Sequence, residues 1–543
     1  MDTVTTVLSL LVAIVVSGVV ARGTRLPLPL VQAALGAVIA VSAIPTVELQ
    51  PELFFLLFLP PLLFLDGWRI PKDDLLRDRA TVLELAIGLV VLTVVGLGFL
   101  IHWMIPAMPL PVAFALAAVI SPTDPIAVSA IAARAPIPKR LMHILEGESL
   151  LNDASGLVCM RFAVAAMLTG AFSLPQAFLT FFWLALGGAA IGVAVTLGVV
   201  RAHRWVASRF GEDTSAQIVV SLLIPFGAYT LAEHLHASGI LAAVAAGVAM
   251  SFTERNSRVL AVTRVRRAGV WDTVQFVANG VIFVLLGEQM PGLVAKADET
   301  VRASGHTEWW WLAVYVLVIC AALGAMRFVW VWTSLRLTIF RAARRGEARP
   351  RVSLRLVAAM SLAGVRGAVT LAGVLTIPLA LADGTPFPAR DLAIFLAAGV
   401  IVVSLLVASV GLPRMLKGLD LPPEPSRLQE LDAARIAAAE AAIRAIEATQ
   451  HRLAENRPDA DIYAEASARV MESYRERILT RQQSAEAAEE HRKFDQIERQ
   501  LRLAGLKAER AEIFRRAHAR QLPEEHARKL IRDLDLLETR YAG

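Results

Sequence analysis

Thirteen apolar runs, separated by short polar connections, fill roughly the first 415 of the 543 residues. A chain patterned this way cannot fold around one globular core. A bilayer demands that every backbone polar group be satisfied inside a helix or a closed barrel, and a helical crossing takes about 20 apolar residues. The runs, numbered spans 1 to 13, lie near 3–21, 26–43, 51–66, 81–104, 110–133, 141–170, 176–203, 215–234, 238–252, 270–289, 309–338, 355–381 and 390–413. The expected fold is an all-α polytopic membrane protein of about thirteen transmembrane helices, residues 1–415.

Basic residues test the count independently. Loops after odd-numbered spans carry nearly all the Lys and Arg, whereas those after spans 2, 4, 6 and 8 carry none. Adding or losing one span would scramble this alternation. The positive-inside rule places the N-terminus outside and the C-terminus in the cytoplasm. It also accounts for the net charge of +6 without any nucleic acid partner. The segment from Val4 to Val20 follows an acidic rather than a basic start and reads as the first span, not as a cleavable leader. Cys159 and Cys320 both lie in apolar runs and give neither a disulfide framework nor a metal cluster.

The last 123 residues differ in kind. They hold 22 of the 54 Lys and Arg and 23 of the 48 Asp and Glu. Residues 421–543 read as a soluble, cytoplasmic helical tail. Helix is expected over 432–450, is interrupted at Pro458, resumes from about 462 to a break at Gly505, and forms again to about 534. A helical hairpin or coiled-coil-like regulatory or dimerising element fits this pattern, as does a solvated extension without a role in transport.

Charges inside a bilayer are expensive and mark pathways. Here they concentrate on few spans. Span 3 ends at Asp66, span 4 starts near Glu84, and span 5 contains Ser121-Pro122-Thr123-Asp124-Pro125. Span 6 holds Glu146, Glu148, Asn152, Asp153 and Arg161, span 11 holds Arg327, and span 12 holds Arg366. Two prolines within four residues remove two backbone donors and predict that span 5 breaks. A break at that depth frees carbonyls for a cation and puts Asp124 beside half-helix ends. A plain proline kink would not call for the added carboxylate. Span 12 carries Gly364-Val365-Arg366-Gly367-Ala368, a second weak point seven spans later. That spacing fits two inverted-topology repeats, spans 1–6 and 8–13, with discontinuous spans 5 and 12 facing one site. Small-residue helix packing is the competing explanation for the two glycines.

Ser149 and Asp153 are four residues apart and share one helix face; Glu148 and Asn152 form the neighbouring stripe. Two carboxylates, hydroxyls and freed carbonyls are the hard oxygen donors that a dehydrated monovalent cation needs. A buried carboxylate can hold a proton instead, so proton and cation compete for it. Asparagine at 152 leaves one principal titratable group, Asp153, and implies a one-for-one, electroneutral cycle; its amide can equally fix the broken helix. Arg327 and Arg366 call for acidic partners. Glu148 is the best mate for Arg327, with Glu146 and Asp124 as other candidates. The role of Arg161 stays open. His102, His143, His234 and His236 fall at span ends as interfacial residues, and Trp309, Trp310 and Trp311 as an aromatic belt.

Ser121-Pro122-Thr123-Asp124-Pro125, Gly147-Glu148-Ser149-Leu150-Leu151-Asn152-Asp153-Ala154 and Gly364-Val365-Arg366-Gly367-Ala368, with Leu59-Pro60-Pro61-Leu62-Leu63-Phe64 on span 3, resemble the monovalent cation/proton antiporters. The branch is that of bacterial NhaP and the animal sodium/proton exchangers, over about residues 5–415. The resemblance implies a homodimer of the bacterial inner membrane, with a core and a dimerisation subdomain and elevator-like transport. It implies Asp153 as the essential ion- and proton-binding carboxylate, with Thr123, Asp124 and Ser149 completing a Na+ site and Asn152 marking the electroneutral branch. Glu148 with Arg327 corresponds to the family's core ion pair, and Arg366 to its arginine on the second broken helix. Asp66 falls near an acidic family position. Transported Na+ (or Li+) and H+ are the expected ligands, with no organic cofactor and no covalent chemistry. K+/H+ or broad monovalent cation exchange is the alternative. A channel fits poorly with occluded carboxylates and arginines, and an intramembrane two-aspartate hydrolase fits poorly with the glycine-rich motifs. The tail is short and lacks a basic amphipathic segment of the calmodulin-binding type.

Overall fold

The computed structural model describes residues 2–24, 26–42, 51–70, 84–124, 128, 131, 139–169, 180, 182–255, 261–303, 308–344, 354–381, 384–417, 425–455, 459–482 and 485–542. Among them the chain is helical, apart from short connections and one isolated bridge between Ala380 and Pro386. It divides into two compact units, residues 1–420 and 421–543.

In the first unit each predicted span contains a helix. These are α1 (Asp2–Thr24), α2 (Leu28–Ala40), α3 (Pro51–Arg69), α4 (Val90–Met104), α5 (Leu110–Ile120), α6 (Lys139–Thr169), α7 (Gly188–Phe210), α8 (Thr214–His234), α9 (Gly239–Arg255) and α10 (Ala261–Ala295). After the short α11 (Ala297–Ala303) come α12 (Trp310–Arg344), α13 (Leu354–Leu362), α14 (Ala368–Leu375) and α15 (Arg390–Leu416). Wider π-turns lead into α4 at Glu84–Leu89 and into α7 at Trp183–Gly187. Six helices are long and apolar enough to cross a membrane among the described residues. With the shorter apolar helices packed between them, they make this a multi-pass membrane protein. Exposed leucines and valines along α1, α7 and α8 form the surface that lipid would cover. Spans 7 and 10 are longer than their apolar cores predict: α7 runs on to Phe210 and α10 begins at Ala261. Polar, helix-competent turns extend both.

Packing sorts these helices into two bundles. α1, α2, α3, α7, α8, α9 and α10 pack on one another, and α4, α5, α6, α12, α13, α14 and α15 do the same. Lipid tails give helices little hydrophobic reason to associate, so close backbone approach carries more of the packing energy. Two reciprocal glycine pairs build such seams in the first bundle. A Cβ on Gly36 of α2 would strike the backbone at Val284 of α10, and one on Gly287 of α10 would strike Ala33 of α2. Likewise Gly67 of α3 abuts Val244 of α9, and Gly247 of α9 abuts Phe64 of α3.

One end of this bundle holds a charged cluster that span patterning does not announce. Arg267 is 4% exposed, paired with Glu254 and placed over the Trp68 ring at 5.4 Å, while Trp68 Nε1 donates to Glu254 Oε2 at 2.7 Å. Arg161, whose role the sequence leaves open, reaches from α6 to Glu233 of α8 at 2.9 Å. Glu233 also accepts from the Gly239 amide at 3.1 Å, so this pair ties the two bundles together at the α8–α9 turn.

The second unit consists of α16 (Pro425–Ala454), α17 (Ala460–Gln482), α18 (Ala485–His518) and α19 (Glu524–Ala542). α16 packs on α17 and α18 on α19, so helical hairpins are present. The expected break at Gly505 does not occur: α18 runs through it, because one exposed glycine costs a helix only about 1 kcal/mol. The chain turns instead before Pro523, with Arg520 in the left-handed region at φ 56°. Arg510 pins α18 to α19 through Asp535, at 2.7 Å, and Glu538.

Candidate functional site: two interrupted helices crossing beside a buried carboxylate

α5 stops at Ile120, and residues 121–124 are not helical. Pro122 denies the next turn a donor. Pro125 lies outside the described residues. The second interruption separates α13 from α14 at residues 363–367. The two irregular stretches meet: the Asp124 amide donates to the Val365 carbonyl at 2.7 Å. Gly367 is required at this crossing, because a Cβ there would occupy the position of the Asp124 carboxylate. Gly364 leaves room for the Arg327 side chain, which a Cβ would approach to 2.8 Å.

α6 lies against the break and fastens it. Ser149 Oγ donates to the Thr123 carbonyl at 2.8 Å, and Asn152 Nδ2 donates to Thr123 Oγ1 at 3.0 Å. The Thr123 hydroxyl in turn points at Glu148 Oε1, 3.5 Å away. Glu148 and Arg327 form a two-pronged pair, with Nη2 to Oε2 at 2.7 Å and Nη1 on Oε1. Both are almost sealed from solvent, at 1% and 2% exposure, and Arg327 Nε donates to the Met360 carbonyl at 3.1 Å. The choice left open for Arg327 therefore falls on Glu148, not Glu146 or Asp124.

Arg366 corrects an expectation. It is buried, and the described contacts give it no acidic partner; Nε donates to the Ile120 carbonyl at 2.9 Å and Nη1 to the Gly364 carbonyl. Those carbonyls lie at the ends of two interrupted helices, where they carry partial negative charge and lack intrahelical partners. Helix ends replace the carboxylate that the sequence called for.

A small cavity of about 30 Å³ opens at the crossing, room for about two water-sized occupants. Thr123, Asp124, Ser149 and Asp153 line one side, Asp66 of α3 the other. Asp153 is 5% exposed and accepts no hydrogen bond from any described residue. Asn152 is not in the cavity wall; its amide holds Thr123 in place, the second of the two roles the sequence allowed. Two further polar residues line the cavity, Asn279 of α10 and Thr370 of α14. The sequence pattern does not single them out, because each is neutral. The available signal was the same as for the charges: a polar side chain inside an apolar run.

A membrane bundle, helical among the described residues, in which two broken helices cross beside a buried acid to which no described residue donates defines a secondary transporter for ions. More narrowly, the chain belongs to the sodium/hydrogen exchanger family, whose profile, described as "Sodium/hydrogen exchanger, transmembrane", matches residues 7–418. It is 42% identical over 540 residues to YjcE, an uncharacterized Na+/H+ exchanger of Escherichia coli K12, covering 98% of both chains. It is 38% identical over 552 residues to a sodium, potassium, lithium and rubidium/H+ antiporter of Bacillus subtilis, covering 100% of this chain and 79% of that one. A solved sodium proton antiporter, MjNhaP1 of Methanocaldococcus jannaschii, shares the fold at 18% identity with a TM-score of 0.56, over 77% of this chain and 99% of the other. Members of this family are transporters, not enzymes.

Proposed function

We propose that the protein exchanges one monovalent cation for one proton across the cell's inner membrane by letting the two compete for Asp153. The observation that carries this reading is the Asp153 carboxylate itself: buried, given no donor by the described residues, and facing a cavity shared with Asp124. Burial without a hydrogen-bond donor is costly for an anion, so the group must hold a proton or a cation. Thr123, Asp124 and Ser149 supply the other oxygens, and Asp66 lies opposite. The arginines are engaged by Glu148 and by helix-end carbonyls, which leaves Asp153 as the group that changes charge and makes the cycle electroneutral. In this reading the bundle of α4–α6 and α12–α15 carries the ion as an elevator against the other bundle. The same reading has thirteen crossings in two inverted repeats, the N-terminus outside and the tail in the cytoplasm as the loop charges suggest, and a homodimer as the working form.

Na+, with Li+, is the first substrate. Broader selectivity including K+ is the second reading, favoured by the Bacillus subtilis relative and by one of Bacillus pumilus with the same description, 45% identical over 415 residues. The deciding experiment follows a pH dye in everted vesicles. Na+, Li+, K+ and Rb+ are added in turn to wild type and to Asp153→Asn. Wild type should release protons for at least Na+ and Li+, and the variant for none. Cation-driven proton movement by the variant, or none by expressed wild type, would refute the proposal.

A further inference from the structure

Every polar residue assigned to the ion above belongs to the α4–α6 and α12–α15 bundle, apart from Asp66. The cavity has a second polar group on the facing wall. Asn279 lies mid-way along α10, within the apolar stretch Val277 to Leu286, and lines the cavity with Asp66, Asp124 and Asp153. α10 packs against α14 as well as against its own bundle. Packing elsewhere on α10 fixes which way it faces. Gly280, the next residue, is closed by α1, where a Cβ would come within 2.9 Å of Ile14. Two turns on, Gly287 is locked against α2. Consecutive helical residues project about 100° apart, so the face carrying Asn279 is turned away from the α1 contact.

The Asn279 amide makes no hydrogen bond to a described residue, unlike the Asn152 amide on Thr123. Asn279 is half-buried, and a carboxamide held in a membrane interior without a protein partner gives up hydrogen bonds that water would supply. An apolar residue would remove that cost. What the amide offers in return is a neutral carbonyl oxygen, which ligates a dehydrated alkali cation without adding a titratable group. We infer that Asn279 is a specificity-determining ligand of the transported cation, supplied by the wall facing the carboxylates. Small cations lose more hydration energy on entry and need every short oxygen contact. Larger ones are satisfied by fewer and longer contacts. Losing one neutral ligand therefore weakens Na+ and Li+ more than K+ and Rb+.

This inference rests on the exchange reading above, and the test keeps the two apart. Wild type, Asn279→Ala and Asn279→Ser are purified and reconstituted. Cation-driven proton efflux is measured with Li+, Na+, K+ and Rb+, and cation-induced thermal stabilisation is measured in detergent. Asn279→Ala should raise KM for Na+ and Li+ by about ten-fold, the size expected for one lost contact to a charged group. It should leave K+ and Rb+ within about two-fold, with kcat and the cation-free melting temperature little changed. Asn279→Ser, which keeps an oxygen, should fall between, and it decides the matter if the alanine variant does not fold. Equal KM changes for all four ions, or none, would overturn the inference while leaving exchange intact. Should wild type move no protons yet gain thermal stability from Na+ that Asn279→Ala loses, the ligand role stands and the exchange reading fails. No stabilisation of wild type or either variant by any cation, without transport, overturns both.

Discussion

The two interruptions are made by different residues and do different work. The first is made by proline and delivers oxygens: α5 ends just before Pro122, and Thr123 and Asp124 then line the cavity. The second is made by glycines and delivers a cation: between α13 and α14 the backbone opens, and Arg366 turns to bind carbonyls from both interruptions. The positive charges are thus consumed in holding the crossing together. Asp153, at the cavity, receives no donor from the described residues. On the proposed reading, structure and transport draw on separate sets of charges placed within a few residues of each other.

Asp153→Asn is the severest test of this division. It should abolish cation–proton exchange and leave the folded protein largely intact, read by vesicle dequenching beside a thermal melt. A large loss of stability would mean that Asp153 also serves structure. Arg327→Ala or Glu148→Gln should do the reverse. Each strands a buried charge, at a cost of about 3–5 kcal/mol, so melting in detergent should fall well before ion affinity can be measured. An unchanged melting temperature would erase the distinction. Gly367→Ala lies between the two sets. Its Cβ would displace the Asp124 carboxylate, so KM for the cation should rise more than stability falls, as judged by efflux kinetics on reconstituted protein. Removing residues 425–543 should be milder still and preserve part of the exchange activity of normally inserted protein.

The smallest effect belongs to the tail, where ion pairs are exposed. Hydrogen bonds from Arg515 and Arg516 hold the Glu512 carboxyl down from the ordinary 4.5 to about 2. A carboxyl depressed on folding stabilises the helix above its unfolded value and loses that contribution as pH falls towards the folded one. Helicity of the full chain in detergent, followed by circular dichroism, should decline slightly between pH 4.5 and 2. Glu512→Gln should remove that part of the decline, and an identical curve would show that the pair contributes nothing.

Legibility in the sequence depends on the kind of residue concerned. Helix positions are legible because a bilayer punishes any other backbone, and the break at Pro122 because proline acts locally. Glu148 with Arg327 is legible because two opposite buried charges have few ways to be satisfied. Arg366 misleads for the same reason pushed too far: backbone carbonyls at helix ends bear no letter in the sequence, yet they can take the place of an acid. Asn279 and Thr370 are hidden because an uncharged polar residue in an apolar run is common, and only the crossing shows that these two share a cavity. Gly505 suggests a break in the tail that is absent, because glycine merely weakens a helix.

The glycine contacts between α2 and α10 and between α3 and α9 bear on where motion can happen. At each contact the main chains touch with no side chain between them, so neither seam has slack to open or rotamers to rearrange. A slab joined in this way behaves as a fixed rail. In the exchange cycle proposed for this protein, a change in which side the cavity faces comes from the opposite bundle sliding along it, and even a single added methyl in a seam would force its main chains apart.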